Sequence, residues 1–229
     1  MLADADPMQA ATQAAAARTL NNGQSCIAAK RFIVERPLAE RFEWLLGLRM
    51  APLAVGDPLE RSTELGPLAR PDLVDALERQ VQESIRAGAR LVTGGARPER
   101  PGAFYAPTVL ADVRPGMPAF DEETFGPLAA IIVADDANDA VRLANQSGFG
   151  LGASVWTSDE ARGEALAREL EAGSVFVNGI VKSDPRLPFG GVKRSGYGRE
   201  LGLWGIREFV NIKTVWIGKT SGSPRDRIE

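Results

Sequence analysis

The chain contains no histidine and only one cysteine, and these two shortages exclude whole classes of chemistry. Without histidine, neither a Ser-His-Asp triad nor a Cys-His pair can form within the chain, and histidine-ligated metal sites are excluded too. One cysteine, Cys26, permits no internal disulfide and no thiolate zinc cluster. We therefore predict no metal site, and any acid–base chemistry within the chain falls to carboxylates, lysines or water.

The sequence also lacks an excess of positive charge and long apolar runs. Its 27 Lys and Arg residues face 30 Asp and Glu residues, so no basic surface is available for nucleic acid or an anionic membrane. No apolar run approaches the ~20 residues of a membrane span, and the first residues do not form a signal peptide. With 44% hydrophobic residues among 229, the sequence predicts a globular cytoplasmic protein without nucleic-acid or membrane partners.

The order of local patterns predicts an α/β fold with a parallel, helix-covered sheet. An alanine-rich helix from Asp6 to about Leu20 precedes a short strand, Arg31–Glu35. The continuous apolar run Leu128–Val133 is typical of a strand buried on both faces. Thr157–Glu160 has the capping-box pattern of a helix that runs to Gly173 before another strand. Strand and helix then alternate through short links, which favours right-handed parallel crossovers.

The carboxyl-terminal part of the sequence has a different character. Residues 178–203 form a loop rich in glycine, proline and basic residues, and it is too long for a simple connector. Val210–Ile217 is predicted to be a last strand, followed by a polar, mobile tail at Gly218–Glu229. We therefore divide the chain into a main domain, 1–209, and a terminal strand and tail, 210–229.

Cys26 is the first candidate for chemistry, because it lies between a helix end and a strand. Loops held by rigid elements are where proteins place reactive groups. Backbone N–H groups that converge after the Asn-Asn-Gly turn at 21–23 would favour a thiolate and would also bind an oxyanion. The alternative is a small buried apolar residue, which is the common fate of a free cysteine.

Two further groups of residues are candidates for binding. Glu122 and Glu123 come directly before the buried strand, either as a solvated turn or as carboxylates that bind hydroxyls or handle a proton. In the long loop, Ser183 or Arg186 is a candidate to hold an anionic substrate group, with surface solvation as the alternative. No segment has the glycine spacing and context of a dinucleotide-binding turn or a P-loop.

Taken together, the motifs resemble those of the aldehyde dehydrogenase superfamily. They occur in the family's order, from residue 4 to about 217. They are Asn21–Cys26, Glu123–Pro127, Ala144–Asn145 with Gly150–Leu151, Ala172–Asn178, Pro188–Gly202 and Lys213–Val215. Within the family, residues 183–191 and 211–217 look like bacterial NAD(P)-dependent succinate-semialdehyde dehydrogenases.

The resemblance implies an aldehyde dehydrogenase catalytic-domain fold and a set of catalytic roles. Cys26 would attack the aldehyde to give a thiohemiacetal, and its backbone N–H would supply half of an oxyanion hole. NAD or NADP would accept the hydride, and water would release the acid from the thioester. Glu123 and Phe125 would contact the nicotinamide side of the cofactor.

The resemblance also implies roles in substrate binding and assembly. Phe189 would line the aldehyde pocket, and Ser183 with Arg186 would hold the distal carboxylate of succinate semialdehyde. The last strand would pair with a neighbouring protomer in a homodimer or homotetramer. A complete cofactor domain, a glutamate base and an oxyanion-hole asparagine precede this region in the family. The sequence therefore looks like a catalytic half with little activity alone.

Two other functions are compatible with the residues. The chain is alternatively a non-enzymatic α/β module for subunit pairing, since an unpaired strand at Val210–Ile217 would invite pairing. A hydrolase that uses the same thiol for ester cleavage is the third possibility, although no histidine is available as its base. Thiol labelling of Cys26 separates a reactive nucleophile from a structural cysteine.

Overall fold

A computed structural model describes residues 1–218, which form an α/β fold of seven α-helices and eight strands within that range. The helices are α1 Pro7–Thr19, α2 Arg36–Met50, α3 Pro71–Arg86, α4 Pro118–Asp121, α5 Ala137–Asn145, α6 Glu160–Glu169 and α7 Gly202–Glu208. The strands are β1 Arg31–Glu35, β2 Arg90–Thr93, β3 Thr108–Ala111, β4 Leu128–Ala134, β5 Phe149–Gly150, β6 Gly152–Val155, β7 Ser174–Val177 and β8 Val192–Lys193.

The largest sheet has the strand order β1-β4-β3-β2. Both β1 and β3 run parallel to β4, which confirms the predicted α/β fold with a parallel sheet. The edge strand β2 departs from that prediction, because it pairs with β3 in the antiparallel sense. The chain passes from β2 to β3 through a loop without a crossover helix, and such a connection returns the chain antiparallel. Strands β6 and β7 form a separate parallel pair.

Helices cover both faces of this sheet, and β4 lies at its centre. Alternate residues of β4 point to opposite faces, so Ala129 and Ile131 pack with α1 and α2. Leu128, Ala130 and Ile132 pack on the other face with α3 and α5. The predicted burial of this strand on both faces is confirmed. This double coverage explains why its sequence is an unbroken apolar run.

Helix α1 ends where the sequence predicts it. Asp6 caps its start by accepting hydrogen bonds from the N–H groups of Met8 and Gln9, at 2.9 and 3.4 Å. After Thr19 the chain turns through left-handed conformations at Asn21 and Asn22, with φ of 51° and 56°. Because asparagine and glycine tolerate this region, the turn forms without large strain and delivers the chain to Cys26.

The predicted capping box of α6 is wrong in two respects. The N-cap is Asp159, which accepts from the N–H of Arg162 at 3.0 Å. Thr157 instead donates its hydroxyl hydrogen to the carboxylate of Asp4, a contact between residues far apart in sequence. The helix ends at Glu169 and not at Gly173, whose N–H donates to the carbonyl of Gly150 and ties the chain to β5. These tertiary contacts override the local pattern.

The region predicted as one long loop contains regular structure. Strand β8 pairs with β5, and Phe189 bridges to Glu200 through two backbone hydrogen bonds of 2.7 Å. Residues 210–217, predicted as a last strand, are exposed and form no strand within the described chain. Their pairing with a second protomer stays a prediction. Residues 219–229, most of the predicted tail, lie outside the described residues.

Candidate active site

The loops that precede β1 and β4 meet at one edge of the sheet and form the candidate site. Because β1 and β4 are parallel neighbours, their amino ends lie side by side. The N–H of Gly126 donates to the carbonyl of Gly23 at 3.0 Å and joins the two loops. The tertiary structure thus brings the segment carrying Cys26 against the segment carrying Glu123 and Phe125.

Cys26 lies in a turn, is solvent-exposed and lines the rim of a cavity. The alternative of a buried apolar cysteine is therefore wrong. Among residues 1–218, no hydrogen-bond acceptor receives the N–H of Cys26. An exposed sulfur next to an uncommitted backbone donor is the arrangement that nucleophilic attack on a carbonyl requires.

Lys30 connects the three residues that the sequence predicts for catalysis and cofactor binding. Its ammonium nitrogen lies 3.3 Å from the carbonyl oxygen of Cys26 and 3.4 Å from a carboxylate oxygen of Glu123. The same nitrogen lies 5.3 Å from the ring centroid of Phe125, within the range of a cation–π contact. The Lys30 side chain is 17% exposed and that of Glu123 is 38% exposed. Lys30 therefore fixes the spacing of all three residues.

The environment of Lys30 disfavours its charge. Burial lowers the pKa of Lys30, and the nearby Arg18 charge lowers this pKa further. Glu123 and Cys26 act in the opposite direction. The Lys30 ammonium thus lies in a partly desolvated position between the Arg18 cation and the Glu123 carboxylate.

Arg18 is the most deeply buried charge near the site. Its guanidinium is fully buried and donates one hydrogen bond of 2.6 Å, from Nη2 to the carbonyl of Gly23. Its Nε and Nη1 atoms contact no hydrogen-bond partner among the described residues. Burial lowers the pKa of Arg18 to about 10, against the opposing effect of Glu123. Arg18 thus stabilises the turn before Cys26 from its buried side, through the hydrogen bond to Gly23.

The two adjacent glutamates are directed to different partners. Glu122 accepts hydrogen bonds from Arg79 and Gln80 of α3, at 2.7 and 2.8 Å. These bonds, led by that of Arg79, lower the pKa of Glu122. Glu123 pairs with Lys30 and keeps part of its carboxylate in solvent. Glu122 is therefore held against α3, whereas Glu123 faces Lys30 and the segment that carries Cys26.

A cavity of about 500 Å³ extends from Cys26 and Glu123 along β1. Arg31 closes its wall by donating to the carbonyls of Leu143 and Ala144, at 3.0 and 2.9 Å. These carbonyls belong to the last turn of α5, where no partner exists within the helix. The cavity is lined mainly by apolar groups. Among residues 1–218, no group of three or more acidic or cysteine side chains could hold a metal ion.

The residues predicted for substrate binding lie on another segment. Arg186 is bound to Asp184 by two guanidinium hydrogen bonds of 2.9 and 2.7 Å, and its side chain is 84% exposed. Ser183 is exposed and Phe189 is half-buried. None of Ser183, Arg186 and Phe189 lines the cavity next to Cys26. The structure brings Cys26, Glu123 and Phe125 together but leaves these three outside the group.

Sequence reasoning missed Arg18 and Lys30. A sequence signal existed for Arg18, since it is a single charge at the end of an alanine-rich helix. Lys30 and Arg31 precede an apolar strand as an ordinary basic pair, so nothing local distinguishes the lysine that faces Glu123. Only the pairing of β1 with β4 reveals its role.

Comparisons with known proteins agree on one family. The profile of the aldehyde dehydrogenase family matches residues 1–215. A probable NADP(+) succinate-semialdehyde dehydrogenase from Synechocystis is 52% identical over 95% of this chain and 48% of its own length. The Escherichia coli succinate semialdehyde dehydrogenase Sad, an NAD(P)+ enzyme, is 50% identical over 94% of this chain and 47% of its own.

A solved structure gives the same result for the fold. Succinic semialdehyde dehydrogenase from Streptococcus pyogenes, in complex with NADP+, superposes with a TM-score of 0.90 at 36% identity. The match covers 94% of this chain and 48% of that one. The chain thus spans about half the length of the relatives that it matches. Among residues 1–218, no helix has the length and apolarity to cross a membrane. With the profile match spanning nearly its whole length, the chain belongs to the aldehyde dehydrogenase family.

Proposed function

We propose that this chain carries the nucleophile and part of the cofactor site of an enzyme that oxidises an aldehyde to its acid. The observation that carries the proposal is the exposed Cys26, whose carbonyl oxygen accepts from the same Lys30 ammonium that contacts Glu123 and Phe125. The family and its named relatives support the same reaction. A whole enzyme would need the rest of the family's length, so we expect little turnover by this chain alone.

The chemical steps follow from a thiolate at Cys26. Its sulfur forms a bond to the carbonyl carbon, and the π-electron pair moves to oxygen, where the Cys26 N–H donates to the resulting oxyanion. NAD(P)+, when bound, would supply the acceptor for the hydride that leaves the thiohemiacetal carbon, and Cys26 would then hold the acyl group as a thioester. Water then attacks the thioester carbon, the acid leaves, and Cys26 regains its thiolate. The proton acceptor for this water would come from outside the described residues.

Glu123 and Phe125 fit the nicotinamide side of NAD or NADP. The exposed part of the Glu123 carboxylate can accept hydrogen bonds from ribose hydroxyls, and Phe125 offers an aromatic face. Lys30 contacts the side chains of both Glu123 and Phe125 and restricts their conformations. Ligand binding therefore loses little conformational entropy at these two residues.

We propose succinate semialdehyde as the substrate, since the relatives named above oxidise it. Succinate semialdehyde has its carboxylate at the end opposite the aldehyde. When the aldehyde carbon lies at Cys26, this carboxylate needs a cation or a hydroxyl some distance away, and Ser183 and Arg186 are the candidates. Arg186 is already paired with Asp184. Substrate binding at this position would therefore require the guanidinium to leave or share that carboxylate.

Reversible adduct formation at Cys26 tests the proposal without any cofactor. We expect iodoacetamide to alkylate Cys26 in the folded chain, and succinate semialdehyde to slow this alkylation because a thiohemiacetal has no free thiolate. Propionaldehyde should protect less at equal concentration, and succinate, which has no carbonyl to attack, should not protect. Alkylation is followed by mass spectrometry at Cys26, with Cys26→Ser as the blank.

Two outcomes would contradict the proposal. Equal alkylation rates with and without both aldehydes would show that Cys26 does not attack carbonyls here. Protection by succinate equal to that by the aldehyde would show blocking by a carboxylate rather than covalent chemistry. If propionaldehyde protects as well as succinate semialdehyde, aldehyde chemistry stands and the choice of substrate is wrong.

Subunit pairing is a second candidate function, favoured by exposed apolar residues after α7. Phe209, Ile212, Trp216 and Ile217 are each 87–89% exposed in the single chain. A surface of this kind is typical of an association site. We expect a dimer or tetramer by light scattering, and monomer after Ile212→Glu with Trp216→Glu. A monomer before substitution would contradict pairing through this segment.

A further inference from the structure

Two side-chain amides fasten the turn that leads to the thiol to a distant segment of the chain. The N–H of Gly66 donates to Oδ1 of Asn22 at 3.0 Å, and Nδ2 of Asn22 donates to the carbonyl of Pro67 at 3.3 Å. The N–H of Ala69 donates to Oε1 of Gln24 at 2.9 Å. We call these three hydrogen bonds the amide clamp. They join residues 44 or 45 positions apart, so no local turn requires them.

The segment that the amide clamp holds, residues 66–69, is itself firmly anchored. The side chains of Leu65 and Leu68 are buried. The N–H of Leu65 donates to the carbonyl of Ala54 at 3.0 Å, and the N–H of Leu68 donates to the carbonyl of Ala103 at 2.7 Å. Buried segments with satisfied backbone hydrogen bonds open rarely. The amide clamp therefore ties the turn to a fixed part of the fold.

The amide clamp acts closer to the thiol than the other tertiary contacts of this turn. The carbonyl of Gly23 accepts from Arg18 and from the N–H of Gly126. Gln24 is the next residue, and only Ser25 separates it from Cys26. The backbone angles of these two residues set the direction of the Cys26 N–H. The Gln24 amide therefore restricts the part of the turn that aims this donor.

The direction of the Cys26 N–H matters for attack on a carbonyl and not for every reaction of the thiol. A donor stabilises an oxyanion well only when it already points to the oxygen, because it then needs no reorganisation during the reaction. Alkylation by iodoacetamide displaces iodide from a saturated carbon and develops no oxyanion. Two reactions of the same sulfur thus separate the reactivity of the thiol from the placement of the donor.

We propose that Asn22 and Gln24 are positioning residues that hold the Cys26 N–H toward the oxygen of the aldehyde. The inference rests on the proposed function, since it concerns the thiohemiacetal at Cys26. Both amides bind residues 66–69 and act on Cys26 only through the backbone. Gln24 only accepts in the amide clamp, whereas Asn22 both accepts and donates.

Aldehyde protection against alkylation tests the inference on the full chain. Iodoacetamide rates at Cys26, measured by mass spectrometry at increasing succinate semialdehyde, give the dissociation constant of the adduct. We expect Gln24→Ala and Asn22→Gly to raise this constant at least about tenfold, because loss of a whole oxyanion donor costs on the order of 100-fold in rate. Alkylation without aldehyde should be nearly unchanged. Glycine suits position 22, since Asn22 has a φ of 56°.

Two further variants separate positioning from a merely structural role. Gln24→Glu keeps an oxygen that can accept from Ala69, so its adduct should be nearly as stable as that of the wild type. The pH profile of alkylation corrects this comparison for the thiolate fraction. Gln82→Ala removes an amide hydrogen bond from an exposed residue of α3 to the carbonyl of Gly95, and its adduct should be unchanged. Thermal unfolding by circular dichroism shows whether each variant is folded.

Four results would overturn the inference while the proposed function stands. The first is an equal adduct constant in the wild type, Gln24→Ala and Asn22→Gly. The second is a parallel slowing of alkylation, which would mean that the whole turn loosens. The third is a Gln24→Glu adduct as weak as that of Gln24→Ala, and the fourth is an equally weak adduct in Gln82→Ala. Absence of aldehyde protection in the wild type would overturn both the proposed function and this inference.

Discussion

Replacement of Gly23 by alanine is expected to lower the free energy of unfolding by about 3 kcal/mol or more. Gly23 has a φ of +75°, a region that alanine adopts only with strain. A methyl group at this position would also overlap the carbonyl oxygen of Gly126 and lie 2.9 Å from Nη2 of Arg18. The contact between the two loops of the site would have to open. Urea unfolding followed by circular dichroism measures the loss.

Gly116 provides a matched control for the Gly23 substitution. It also has a positive φ, of +92°, but no atom lies within 4 Å of a methyl group built there. In Gly116→Ala the free energy of unfolding should therefore fall only by the cost of placing alanine at a positive φ, about 1 kcal/mol. Equal losses at both positions would mean that the Gly23–Gly126 contact contributes nothing. Because Cys26 follows the same turn, we also expect its alkylation rate to change in Gly23→Ala and not in Gly116→Ala.

Replacement of Gly173 by alanine is expected to lower the free energy of unfolding by a comparable amount, about 3 kcal/mol. Its backbone is not in the left-handed region, so the effect here is purely steric. A methyl group would overlap the carbonyl oxygen of Gly190 and lie 2.7 Å from its carbonyl carbon. Gly190 belongs to the segment that carries Ser183, Arg186 and Phe189. We therefore expect this segment to detach from the start of β7.

Limited proteolysis distinguishes local detachment from global unfolding. We expect trypsin to cleave faster after Lys182 and Arg186 in Gly173→Ala, in addition to the lower stability in urea. Gly179 is the matched control, since a methyl group there would meet its nearest atom at an ordinary distance of 3.9 Å. A Gly173→Ala variant with unchanged stability and cleavage would show that the Gly190 carbonyl does not approach Gly173 closely enough to exclude a methyl group.

Several elements were predictable because their signals are local. The Asp6 cap, the Asn-Asn-Gly turn and the run Leu128–Val133 each depend on backbone preferences or burial within a few residues, and the structure confirms them. The family is predictable for a related reason. Its motifs contain residues at turns and at places where two backbone segments come close together. Gly23 and Gly190 are examples, because a side chain at either position would overlap a backbone carbonyl.

Other elements were unpredictable because their signals lie far apart in the chain. Thr157 has the local pattern of a helix N-cap, but its hydroxyl donates to the carboxylate of Asp4. Asp159 is the N-cap instead and accepts from the N–H of Arg162. Strand β2 is antiparallel because of the path of its connection, which sequence periodicity does not report. The predicted strand Val210–Ile217 is not formed within the described chain, and its pairing with a second protomer stays a prediction.

The sequence by itself determined the α/β fold, the family and the identity of Cys26 as the single thiol. It also excluded histidine and disulfide chemistry, since composition alone decides these. Only the tertiary structure decided which charges surround that thiol. Lys30 contacts Glu123, and Arg18 supports Gly23, because parallel strands place the amino ends of distant segments side by side. Electrostatic environment depends on such proximity in space, which no local pattern encodes.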